Sequence, residues 1–291
     1  GTLGSGNHFL ELQVVDKIVD LEAAHAYGLR EGQVTAMIHT GSRGLGHQVC
    51  SEHVNSIESE YHKIDAIWHA PKWNMEISDR QLAAAPIYSK KGQEYLDSMN
   101  AAGNYAFANR SALTQRLRDA LREILGRDSD LEVIYDVSHN IAKIEEHNVH
   151  GKTCKCCVHR KGATRALGGD HAELAERFSQ IGQPVLVPGD MGTASWVLAG
   201  PKSGSNDAFS SSCHGAGRKL SRTAARNNID SAKLKESLEK KGIYVRVKTP
   251  NVLSEEAPDA YKDVDEVIQL TNKANLARPV ARLRPFAVIK G

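Results

Sequence analysis

Gly4-Ser-Gly-Asn-His-Phe-Leu-Glu-Leu-Gln-Val-Val15 places a glycine-punctuated loop directly before an apolar run, and this junction recurs along the chain. The run over residues 9–15 is rich enough in apolar and β-branched side chains to predict a strand. Similar runs predict strands over 34–39, 131–137, 184–187, 244–248 and 285–289. Between them lie helical patterns. Leu96, Met99, Ala106, Leu113, Leu117, Leu121 and Ile124 recur at steps of three and four, or their sums, and predict one long helix with its stripe on the sheet. Further helices are expected over 45–62, with Cys50, Val54, Ile57 and Tyr61 on one face, through Leu234 and Leu238 up to Gly242, and over 264–270 after Pro258 and Asp259. Strands alternating with helices indicate an α+β protein, a mixed sheet core with flanking helices. No repeat or low-complexity linker divides it, so one catalytic domain over 1–291 is the expectation.

Composition narrows the class. Of 291 residues, 41% are hydrophobic and 25% charged, as in globular domains. The 37 basic against 35 acidic residues exclude a global polycation. No apolar run approaches the roughly 18 residues that span a bilayer, and no signal peptide is evident, so no membrane partner is expected. Five unevenly spaced cysteines suit a reducing compartment, the cytoplasm or alternatively the nucleus. Gly1-Thr-Leu-Gly-Ser-Gly-Asn-His8 reads as domain interior, so an upstream segment is expected.

Four histidines share the loop setting: His8, His39 in Ile38-His-Thr-Gly-Ser-Arg-Gly44, His139 in Tyr135-Asp-Val-Ser-His-Asn140, and His214 in Ser212-Cys-His-Gly-Ala-Gly-Arg218. Imidazole is a common metal ligand and group-transfer side chain near neutral pH, so these four suggest one composite site. The other nine sit in polar helical or charged-loop context and read as surface or capping residues. Cys154-Lys-Cys-Cys157 with His159 lacks the second ligand pair of a structural zinc site, and an exposed hairpin loop between Glu146 and Val158 is expected instead.

Small residues at His214-Gly-Ala-Gly-Arg-Lys-Leu-Ser-Arg222, before an expected helix, would leave backbone amides free for an anion, with Arg218 and Arg222 adding charge. Pro188-Gly-Asp-Met-Gly-Thr-Ala-Ser195 and Thr40-Gly-Ser-Arg-Gly44 make similar turns. Neither a Walker lysine nor a dinucleotide fingerprint is present. Basic residues cluster at 158–165, 218–226 and 278–284, and would bind a phosphodiester backbone if they converged on the histidines.

These stretches in order, with Gly182-Gln-Pro-Val-Leu-Val-Pro-Gly189, Glu255-Glu-Ala-Pro258 and Ala287-Val-Ile-Lys-Gly291, resemble the RtcB-type RNA-splicing ligases along the whole chain. Members of that family join RNA ends bearing a 3′-phosphate or 2′,3′-cyclic phosphate to a 5′-hydroxyl, as in tRNA splicing and RNA repair. The resemblance implies GTP and two manganese ions as cofactors, tRNA halves as RNA partner and an archease-type activator. It implies that His214 is the catalytic residue that takes GMP, and that His8, His39 and His139 bind metal. It implies nucleotide contacts from Asn7, His8, Phe9, Leu10 and Glu11, from His139 and Asn140, from Pro188, Gly189, Asp190, Met191 and Ser195, from His214, Gly215, Ala216 and Gly217, and from Tyr261 and Lys290.

Glu11 is expected to read guanine N1 and N2 together. Strand alternation would put Asn7 and Glu11 on one face and His8 on the other. Asp190 departs from the family's serine or threonine, and a carboxylate would repel a phosphate. The family's bridging cysteine and aspartate metal ligand fall upstream of Gly1, so three histidines leave a two-metal cluster incomplete. A non-catalytic RNA-binding subunit and a manganese-dependent RNA phosphoesterase are the alternatives.

Overall fold

The computed structural model describes residues 1–291. In chain order the elements are β1 (Phe9–Ile18), α1 (Leu21–Ala26), β2 (Val34–His39), α2 (Arg43–Glu58), β3 (His62–Ile64), β4 (Ile67–Ala70), β5 (Met75–Ile77) and α3 (Lys90–Leu125). There follow β6 (Asn140–Val149), β7 (Lys152–Lys161), β8 (Ala163–Arg165), β9 (Pro184–Val187), β10 (Ser195–Ala199), β11 (Ser211–Cys213), α4 (Arg222–Asn228), α5 (Ser231–Lys240), β12 (Tyr244–Val247), α6 (Pro250–Glu255), α7 (Val264–Lys273) and β13 (Arg278–Lys290). The fold is α+β, with mostly antiparallel sheets, and no helix is long and apolar enough to cross a membrane. The chain divides into two compact units: Gly1–Thr2 with Thr40–Leu117, and Leu3–His39 with Arg118–Gly291.

The second unit is built on a six-stranded sheet in which β13 is the spine. One edge of β13 pairs antiparallel with β1, which in turn pairs with β2. Two strands share the other edge. β10 runs antiparallel along Arg278 to Leu283, and β12 runs parallel along Ala287 to Lys290. Proline accompanies two of the three breaks in this spine's ladders, the third falling at Asp16. Pairing with β1 jumps from Ala287 to Pro285, and pairing with β10 jumps from Ala281 to Pro279. Proline has no amide hydrogen to give a ladder, so each of these two skipped residues bulges beside one.

Both faces of β10 are covered. Val197 and Ala199 join a core with Val15, Met37, Val280, Leu283 and Val288 beneath Ala23, Ala24, Tyr27 and Leu238 from α1 and α5. Trp196 and Leu198 face Val264 and Ile268 of α7, one helical turn apart. Trp196 Nε1 donates to Asp265 Oδ1 at 2.7 Å, which fixes α7 on the sheet. The start of α7 is capped by Asp263, whose carboxylate accepts from Asp265 N and Glu266 N, whereas Pro258 and Asp259 form a separate short 3-10 turn.

The first unit holds the β3-β4-β5 meander, α2 and α3 up to Leu117. Asn109 on α3 is buried. Its side-chain amide donates to the carbonyls of Thr2 and Gly41 and its oxygen accepts from Thr2 N at 2.8 Å. The α3 stripe buries Ala106 and Leu113, but Ile124 at its end is 78% exposed. The stripe therefore does not pack along its whole length. Helix α2 buries none of its residues, and Tyr61, expected on its face, lies beyond its end and is buried with its hydroxyl donating to Ala84 O.

One expectation fails and another is extended, for one reason. Residues 131–137 form no strand, while the exposed hairpin loop expected between Glu146 and Val158 is a hairpin of two ten-residue strands, β6 and β7, reaching from Asn140 to Lys161. An apolar run without a neighbouring strand cannot satisfy its backbone groups in a ladder. A polar run with a register-matched partner can. His150 (φ 50°) and Gly151 (φ 79°) turn the hairpin, both in the left-handed region that a tight two-residue turn demands.

Candidate functional site

Register at the end of the sheet begins the site. β1 pairs Phe9 with His39, placing the last residue of β2 next to His8. Asn7 lies in the turn before the strand, so alternation never applies to it or to His8. Phe9, Glu11 and Gln13 share one face and are all buried. His139 immediately precedes β6, and His214 immediately follows β11.

The four histidines meet. The rings of His139 and His214 stack at 4.2 Å and 21°, and His39 stands edge-on to both at 4.9 and 6.2 Å. His8 lies 5.5 Å from His39, centroid to centroid. Burial, then the neighbouring imidazoles, hold His39 well below the ordinary histidine range. Burial, then Lys161, lower His214 as well. Both rings are neutral near pH 7, as ligands and nucleophiles require.

Donor spacing tests the fit to a metal. His39 Nε2 and His139 Nε2 are 3.3 Å apart. Two nitrogens each about 2.1 Å from one ion, at the angle of a tetrahedral or octahedral centre, are about 3.0 to 3.4 Å apart. This pair therefore fits two positions around one divalent cation. No group of three or more His, Cys, Asp or Glu donors is arranged to hold an ion, so His8 does not complete a set with them.

A buried polar chain runs beside the histidines. Gln13 Nε2 donates to Glu11 Oε2 at 2.8 Å and to Ser195 Oγ at 3.1 Å, and Ser195 Oγ also accepts from Gly189 N. Burial pushes the Glu11 carboxyl up to about 8, against the lowering effects of Gln13 and Lys290. Lys290 is only 6% exposed, pinned at the last rung of β13 opposite Val247, with Nζ donating to Gly6 O. Burial lowers its pKa despite the nearby carboxylates of Glu256, Glu11 and Asp190.

The turn after β9 engages most of its amides internally, with that of Met191 left without a protein acceptor. Gly189 N donates to Ser195 Oγ, Asp190 N to Thr193 Oγ1 at 3.2 Å, and Gly192 N to Asp190 Oδ1 at 2.8 Å. Asp190 is thus an internal cap for its own turn. At 214–217 the opposite holds: the amides of Gly215, Ala216 and Gly217 donate to no protein acceptor. The helix expected there begins later, at Arg222, behind its own Ser221 cap.

The expected positive charge is spent elsewhere. Arg218 and Arg222 both donate to Glu256, a buried carboxylate that also accepts from the Tyr261 hydroxyl. Arg218 stacks 4.8 Å over the Tyr261 ring. Arg160 makes two 2.8 Å bonds to Glu145, Arg165 pairs with Glu173, Arg278 with Asp20, and Arg282 with Asp16 and Asp265. The three basic clusters are therefore largely internal ion pairs. Sequence reasoning missed Gln13, Glu256 and Lys161 as parts of the site. Gln13 was within reach, since it lies two residues from Glu11 on the same face. Glu256 stood within the quoted Glu255-Glu-Ala-Pro258 stretch, but its role was out of reach because its partners come from sequence separations of 5 to 38 residues. Asn7 is exposed, and Asn140 Oδ1 accepts from Gly162 N at 3.4 Å.

A family model described as tRNA-splicing ligase RtcB matches residues 1–291. The chain is 50% identical over 294 residues to the tRNA-splicing ligase RtcB of Thermococcus kodakarensis, covering all of this chain and 59% of that protein. It is 48% identical to the corresponding protein of Archaeoglobus fulgidus, again covering all of this chain and 59% of the relative. It is 50% identical to the RNA-splicing ligase RtcB of Mycobacterium tuberculosis, with coverage of 100% and 64%. The chain spans about three fifths of the length of these relatives.

Proposed function

The chain belongs to the RtcB family, and from that premise we propose that it is the catalytic part of an RNA ligase that joins 3′-phosphate or 2′,3′-cyclic phosphate ends to 5′-hydroxyl ends through guanylate carried on His214. The observation that carries the reading is the neutral, half-buried His214 ring stacked on His139, beside three consecutive unengaged amides.

Each residue then has a defined task. A neutral His214 ring nitrogen attacks the α-phosphorus of GTP; a P–N bond forms, the bond to the β-phosphate oxygen breaks, and pyrophosphate leaves. The amides of residues 215–217 donate to phosphoryl oxygens as negative charge grows on them. A 2′,3′-cyclic end is first opened by water, which breaks the P–O2′ bond and leaves a 3′-phosphate. An oxygen of the RNA 3′-phosphate then takes the guanylate from His214, breaking the P–N bond and freeing the ring. The 5′-hydroxyl oxygen then attacks the activated 3′-phosphorus, gives up its proton, and GMP departs. His39 and His139, with His8 nearby, would hold manganese, which supplies Lewis-acid polarisation of phosphoryl oxygens. Glu11, once ionised, accepts from guanine N1 and N2, and Lys290 beside it offsets that charge. RNA ends of the kind left by tRNA splicing are the proposed substrate, with an archease-type protein as activator.

Covalent capture tests the reading. Full-length protein incubated with α-labelled GTP and Mn²⁺ should retain acid-labile GMP on His214, and His214→Ala should retain none. Label on any other residue would overturn the assignment.

A further inference from the structure

The β6–β7 hairpin joins the candidate site at its root. Its strands begin and end at Asn140 and Lys161, and a Cβ built on the next residue, Gly162, would lie 3.9 Å from His214 Cδ2 and Nε2. Cross-strand pairs share a face, and the two faces differ. The face carrying Glu145, His147 and Arg160 is packed: Arg160 bonds Ser211 and the Phe209 carbonyl, and His147 stands edge-on to Phe209. The pairs Asn140 with Lys161, Ala142 with His159, Ile144 with Cys157 and Glu146 with Lys155 define the other face. There Lys161, His159, Ile144 and Lys155 are exposed, as is Glu146 opposite Lys155, while Ala142 is buried.

Of the arginines in the three basic clusters all but Arg284 pair with carboxylates, whereas neither Lys155 nor Lys161 makes an ion pair. Ten residues of strand extend about 33 Å from the histidines. His159 and Ile144 supply a ring and an apolar surface between the two lysines.

We propose that this face is the track along which the RNA strand presenting its 3′ end to His214 is held, its phosphates on Lys161 and Lys155 and its bases against His159 and Ile144. A single strand fits because the surface is one sheet face wide and combines spaced cations with flat side chains. The proposal rests on the ligase reading, which supplies the RNA.

The test uses the full-length protein and two 3′-phosphorylated RNAs, one of about twelve nucleotides and one dinucleotide. Fluorescence anisotropy against salt should show that Lys155→Glu weakens the longer RNA roughly tenfold and lowers its log–log salt slope by about 0.7, the dinucleotide being unaffected. Cys157, partly exposed midway along the face, supplies an independent readout: the longer RNA should slow its alkylation by maleimide and the dinucleotide should not. Unchanged affinity with an unprotected Cys157 would overturn the track, as would equal loss for both RNAs. Cys157 protection without GMP on His214 would sink the ligase reading while leaving the track. GMP on His214 without Cys157 protection would do the reverse.

Discussion

Two small-residue turns follow strands in this protein and meet different fates. In the turn from Pro188 to Ser195, the amides of Gly189, Asp190 and Gly192 are bonded to Ser195, Thr193 and Asp190. In the loop from His214 to Gly217, three consecutive amides stay unengaged. Glycine content is similar. What differs is where the short acceptors turn: serine, threonine and aspartate two to six residues away fold back onto the closed turn, whereas Ser211 and Ser221 beside the open loop accept from Arg160 and Ala224 instead. The comparison teaches that an anion loop keeps its amides when the acceptors around it are bonded elsewhere.

Predictions follow from breaking each turn. The largest effect is at the open loop, where His214→Ala should abolish GMP retention on the protein while the thermal midpoint stays within a few degrees. Near-normal labelling of that variant would end the assignment.

Next comes the carboxyl tied to the closed turn through Gln13 and Ser195. With its pKa near 8, Glu11 is a neutral acid at pH 7 and must release a proton to accept both guanine donors. GTP affinity should therefore strengthen up to about tenfold per unit as pH rises from 6 to 8, then level off. Calorimetry in buffers of different ionisation heat should register close to one proton released at pH 7. Glu11→Gln should flatten the pH dependence and narrow the GTP/ATP gap. Stability carries the opposite sign. The folded pKa exceeds the ordinary 4.5, so the burial penalty is absent below 4.5, grows as pH rises through that range and is full above about 8. Denaturation of Glu11→Gln should lack this loss.

Closed-turn variants should act on the fold. A Cβ at Gly189 would lie 2.1 Å from Ala194 O, so Gly189→Ala should cost about 1 to 3 kcal/mol in urea denaturation. Asp190→Ala removes the acceptor of Gly192 N and should cost about 1 kcal/mol. At the open loop, Gly215 has only Pro188 O at 3.7 Å from a built Cβ, and Gly215→Ala should shift stability by less than about 0.5 kcal/mol. A Gly215→Ala loss as large as that of Gly189→Ala would erase the distinction between the turns.

Much of the fold was legible. The helix through Leu113, the strand over 34–39 and the second half of β13 over 285–289 follow from periodicity and apolar runs, whereas residues 278–284 read only as a basic cluster and the bulges beside Pro279 and Pro285 emerged from the ladder. A hairpin at the cysteines was legible, but the reach of its strands from Asn140 to Lys161 was not, because that ladder joins strands whose outer face is polar.

At the candidate site the division is similar. The sequence by itself determined which side chains have the chemistry: four loop histidines, the Glu11 carboxyl, the terminal lysine and the small residues after His214. Only the tertiary structure decided which of them are available. It stacked His214 on His139, brought His39 within 3.3 Å of it, and buried Glu11 and Lys290 far enough to move their pKa values in opposite directions. It also bound the arginines to carboxylates up to 266 residues away in the chain. Ionisation and hydrogen-bond availability depend on distance and on exclusion of water, and neither is a property of position along the chain.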